Sequence, residues 1–96
     1  MTCGRLDAAD CMWVAELVRS AVPDAFGHST RIVAEDGCPP GASCALGFDA
    51  FVVLALPDGQ HPAYRVRYLY RGLPRVEPYE QPLPAHVQAL VNGPIR

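Results

Sequence analysis

The sequence predicts an α+β fold with the order α-β-β-β-α, a three-stranded antiparallel meander with two helices packed on one face. Three observations lead there. Apolar residues recur at helical spacing near each end; a nearly unbroken apolar run, Phe48 to Leu56, lies in the middle; and an alternating segment stands on each side of that run, set off by turn-forming residues.

The first helix is read from Leu6, Trp13, Leu17 and Ala21, with Val14 and Val18 beside them, which form one apolar stripe at i, i+3, i+4 and i+7. Asp7 is placed to cap its free N–H groups, and Pro23 stops it after Val22. Asp10, three residues after the cap, favours the positive end of the helix and reads as a capping residue, not a catalytic one.

Ser29 to Glu35 alternates with the period of a half-buried strand and is taken as the first. Asp36 to Cys44, with Pro39, Pro40 and two glycines, cannot continue a ladder and reads as a long hairpin loop. Phe48 to Leu56 is the central strand, buried on both faces or nearly so. Asp58-Gly59 supplies a reversal. Ala63 to Arg71 then returns as the third strand, with Tyr64, Val66, Tyr68 and Tyr70 on one side and Arg65, Arg67, Leu69 and Arg71 on the other.

Gly72 to Pro84 carries four prolines and reads as an extended crossing segment. Pro84 suits the first turn of a helix; Leu83, Val87, Leu90 and Val91 give that helix an apolar stripe, and Asn92-Gly93-Pro94 ends it. Trp13, Leu17, Val87 and Leu90 are thus expected to bury against the central strand.

With 96 residues the chain suggests one domain, 1–96, since a second core would have too little sequence to build it. Half the residues are apolar, which excludes a disordered tail. The net charge of −2 is unevenly spread: residues 1–50 hold three arginines against seven acids, a balance of −4, and residues 51–96 hold five against three, a balance of +2. Lysine is absent, so every strong base is an arginine, suited to planar two-pronged bonding of carboxylate or phosphate. The N-terminal residues meet two acids by Asp10 without an apolar run, unlike a secretory leader, and no apolar stretch is long enough for a membrane helix. The expected location is cytoplasmic, the four cysteines are expected as reduced thiols, and no membrane partner is expected.

The cysteine spacings, Cys3-x7-Cys11 and Cys38-x5-Cys44, do not match the short knuckles that grip zinc, and no cofactor motif is present. Cys11 is expected as a small buried thiol. Cys38 and Cys44 flank one loop and are the candidates for a thiol function. Arg65, Arg67 and Arg71, with Arg75 just beyond, are the candidates for binding nucleic acid or another anion; a solvated face balanced by Glu35 or Asp49 is the alternative. The element order is similar to that of the double-stranded-RNA-binding domain. That family's lysine-rich start of the second helix is replaced here by Gln81-Pro82-Leu83-Pro84-Ala85-His86, which excludes membership. His28, His61 and His86 are scattered over two loops and a helix, with no nucleophile in an elbow beside them.

The functional expectation is a small non-enzymatic module that works through contacts with a protein partner or by self-association as a homodimer. It rests on two open sheet edges and one open sheet face. Nucleic-acid binding through the arginines is the second expectation, and a thiol or metal role of the Cys38 to Cys44 loop the third.

Overall fold

The structure, a computed structural model, describes residues 1–38, 48–68 and 72–93, without the side chains of Phe48 and Tyr68. Helix α1 spans Ala8–Ala21 and a one-turn helix α2 spans Pro23–Gly27. Asp7 caps α1 by accepting the Asp10 N–H at 2.8 Å, and Pro23 breaks the chain into α2 because it has no N–H to continue the ladder. Four strands follow: β1 (Arg31–Asp36), β2 (Phe48–Ala55), β3 (Ala63–Tyr68) and β4 (Arg75–Tyr79). They form one sheet in the order β1-β2-β3-β4, each pair antiparallel. Helix α3, Ala85–Val91, closes the described chain with Pro84 at its N-cap.

The α+β class and the antiparallel meander are those the sequence predicts. The strand count differs. The extra strand, β4, comes from the proline-rich segment read as a crossing, and it carries Pro78 opposite Tyr64. A proline survives there because an edge strand can turn its missing donor away from the ladder.

The helices do not share a face. Along β1 and β2, Ala34, Ala50, Val52 and Leu54 pack with Cys11, Val14 and Val18 of α1, while Val33, Phe51 and Val53 pack with Val87 of α3. Strand side chains alternate, so these two sets project from opposite sides and the sheet is sandwiched between α1 and α3. The cause is visible in β2. Every residue from Ala50 to Leu54 is apolar and buried, and a strand dry on both sides needs cover on both.

The buried face of α1 is also turned from the expected one. Cys11, Val14, Ala15 and Val18 are buried, whereas Trp13 is 37% exposed and Ala21 lies at the surface. A disulfide between Cys3 and Cys11, with Cα atoms 5.8 Å apart, draws the Cys11 side of the helix inward and replaces the expected free thiol. Closing a loop this short is worth roughly 2–3 kcal/mol through the unfolded chain.

The same bridge fixes the N-terminus along the outer edge of β1. Thr2 donates its N–H to the Ile32 carbonyl and accepts from the Ala34 N–H, both at 2.8 Å, as an isolated parallel bridge opposite Val33. Just beyond, the Arg5 N–H reaches both oxygens of Glu35, which is 1% exposed. Gly4 allows this approach: a Cβ there would sit 1.4 Å from Glu35 Oε2.

Candidate functional site

The arginine face is built by register. Asp49, Arg67 and Arg75 lie opposite one another on β2, β3 and β4, and the next row holds Phe51, Arg65 and Glu77. Because Phe51 belongs to the α3 side of the sheet, both rows lie on that side. The seven-residue α3 makes its sheet contacts chiefly with β1, so the β3–β4 half of the face is left to these charged side chains.

Each of the two β3 arginines has an acid nearby. Arg67 Nε stands 3.7 Å from Asp49 Oδ1, with both side chains nearly half exposed, and Arg65 stands 3.6 Å from Glu77 Oε1. Arg65 also lies over the Tyr79 ring, 5.6 Å from its centre, and Tyr79 in turn meets the edge of Phe51 at 4.7 Å. Buried beneath, Arg65 Nε has no hydrogen-bond partner among the described residues. Arg75 is exposed and forms no ion pair with a described residue. The balancing acid foreseen in Asp49 is present. Glu35 instead serves Arg5, whose Nε lies 3.6 Å away and whose guanidinium also donates to the Cys38 carbonyl at 2.8 Å. Arg71 lies outside the described residues.

Cys38 is disulfide-bonded, and Cys44 lies outside the described residues. Among the described residues no cysteine is free, and no group of three His, Cys, Asp or Glu side chains is placed to hold a metal ion. Two histidines are tied to backbone carbonyls: His28 Nδ1 to Asp24 and His86 Nε2 to Asp36, both at 2.8 Å. A carbonyl only accepts, so each of those ring nitrogens carries the proton.

Two features escape the sequence reading. The first is an open groove of about 540 Å³ between the β3–β4 end and α3, where His61, Tyr64, Pro78, Tyr79, Leu83 and Gln88 form part of the wall. Its proline content reads as linker in sequence, and only the β3–β4 pairing sets Tyr64 opposite Pro78 and Ala63 opposite Tyr79. The second is an apolar surface on the outer side of α1. Ala8, Ala9, Met12 and Trp13 are all exposed there, Met12 at 64%, and Met1, two residues before the bridged Cys3, is 62% exposed. Asp7, Asp10 and the Glu16–Arg19 ion pair are spaced along the same helix and border this surface. The amphipathic stripe could have shown it: Met12 already falls off the apolar face. Trp13 falls within the predicted stripe, so its exposure is not legible from spacing.

No helix among the described residues is long and apolar enough to cross a membrane. Neither a protein-family model, nor a curated protein, nor a solved structure matches this chain.

Proposed function

We propose that the chain is a small non-enzymatic module that acts through protein contacts, with the outer side of α1 as its contact surface and a second copy of the chain as its simplest partner. The observation that carries this reading is the exposure of Met12 and Trp13 on a helix whose opposite side is fully packed. A central aromatic and an adaptable thioether with charged side chains around them have the anatomy of a contact patch, apolar in the middle and polar at the rim.

Open sheet edges and an open face offer less ground for self-association than the sequence suggests. Thr2 pairs with the Ile32 carbonyl and the Ala34 N–H on the outer edge of β1, and Pro78 removes a donor from β4. Contact through the helix needs neither edge. Sedimentation velocity on the intact protein over a wide concentration range tests the proposal, with Met12→Ser/Trp13→Ser as comparison. Association that disappears in the variant supports it; a strict monomer at every concentration removes the second copy as partner.

Nucleic-acid binding stands behind this reading, because Asp49 and Glu77 already offset two of the described arginines. A thiol role for the Cys38 loop competes with the bonded state of Cys38. The same chemistry bears on location. A bridged Cys11 that is wholly buried favours an oxidising compartment over the cytoplasmic expectation.

A further inference from the structure

We infer that Arg67 and Arg75 form a two-pronged site for one oxyanion, a carboxylate or a phosphate. This inference is independent of the contact surface on α1. The two residues are direct cross-strand partners on β3 and β4 and project from the same side of the sheet. Directly opposed side chains have Cβ atoms about 4.5–5.5 Å apart, and like charges in that position repel. A sheet relieves such a pair by supplying acids, and here only one is supplied: Asp49 stands beside Arg67, 3.7 Å from its Nε, while Arg75 forms no ion pair with a described residue. Glu77 stands beside Arg65, and Glu35, on the same side of β1, is held by Arg5. On β2, β3 and β4 three described arginines face two carboxylates, which leaves one positive charge, at Arg75.

Each guanidinium presents a rigid fork of N–H donors, and one oxyanion can accept from both forks at once. The surplus of a single charge is matched by a single anionic group. It is a poor match for a nucleic-acid backbone, whose closely spaced phosphates call for a run of unpaired bases. The shared chemistry has two sources, free phosphate and an acidic side chain of a partner protein.

The test follows the arginine Nε–Hε and backbone amide signals of β3 and β4 by NMR on the intact oxidised protein. Inorganic phosphate and N-acetyl-aspartate amide are titrated separately, with sodium chloride at matched ionic strength as control. Expected are saturable shifts at Arg67 and Arg75 with at least one probe, about tenfold weaker binding in Arg75→Gln, and severalfold tighter binding in Asp49→Asn, where the competing carboxylate is gone. Stronger binding of phosphate identifies a free anion as the ligand, and stronger binding of the aspartate probe identifies a partner's side chain. Arg75 is exposed, so Arg75→Gln should keep the remaining spectrum. Shifts reproduced by chloride alone, saturation by neither probe, or an Arg75→Gln variant that binds as tightly as the parent would overturn the inference.

Discussion

Arg5 donates its backbone N–H to both carboxylate oxygens of Glu35, at 3.1 Å each, across 30 residues of sequence. This contact seats a buried carboxylate without a buried cation: the Arg5 side chain is 37% exposed and continues to the Cys38 carbonyl. The N-terminal segment, β1 and the start of the following loop are therefore joined at one point, a turn after the disulfide joins the same segment to α1. Charged hydrogen bonds of this kind contribute about 1.5–3 kcal/mol.

Glu35→Ala should lower stability by about 2–3 kcal/mol through loss of those bonds, and Gly4→Ala by about 1–3 kcal/mol through forced displacement of the carboxylate. Urea denaturation monitored by far-ultraviolet circular dichroism measures both. Stabilities within error of the parent would mean that the joint does not form.

Making Cys3→Ser/Cys11→Ser should cost roughly 2–3 kcal/mol and release Thr2 from β1. Amide exchange reads the release: the Ala34 N–H, whose acceptor is Thr2, should lose protection, while Val52 at the sheet centre keeps it. Alkylation of native-host cells during lysis, followed by intact-mass analysis, shows whether the bridge exists in the cell. Complete alkylation of all cysteines would return the protein to a reducing compartment.

Pro78→Val should leave the fold intact and make the edge of β4 sticky, because it restores an N–H to an exposed strand. Light scattering on the folded variant should report concentration-dependent association beyond that of the parent. Equal behaviour would show that Pro78 does not guard the edge.

Glu16 accepts from the Arg19 guanidinium one turn on, with Nε–O distances of 3.1 Å, and this hydrogen bond holds its carboxyl below the usual carboxylate range. A lowered folded-state value means that the contribution to stability is present above the unfolded value of 4.5 and is lost as pH falls through the folded one. Arg19→Gln should therefore raise the Glu16 titration midpoint towards 4.5 in a carboxyl-detected NMR titration. An unmoved midpoint would remove the pair as the cause.

The legible parts of the fold are those fixed by local chemistry. Asp7 and Pro23 bound the first helix, Ala50 to Leu54 announce a strand dry on both sides, and Asn92 ends the last helix. What was not legible depends on long-range pairing. A stripe such as Val87, Leu90 and Val91 says which side of a helix is buried but not which side of the sheet receives it. The doubly buried β2 held that information, since dryness on two faces requires two covers. Glu35 reads as the solvent side of an alternating strand, and only the return of Gly4 and Arg5 makes it a core residue. Of the arginine site, the spacing of Arg65 and Arg67 was readable. Their pairing with Glu77 and Asp49 was not, because β4 is hidden by its prolines and register is not written in spacing.

The most direct test of the contact surface is site-specific photocrosslinking in the native host, with a photoreactive amino acid at Met12 in one strain and at the exposed turn residue Asp58 in another. Discrete higher-mass adducts are expected from position 12, a dimer of this chain first among them, and none from position 58. No adduct at position 12, or the same adducts at both positions, would contradict it.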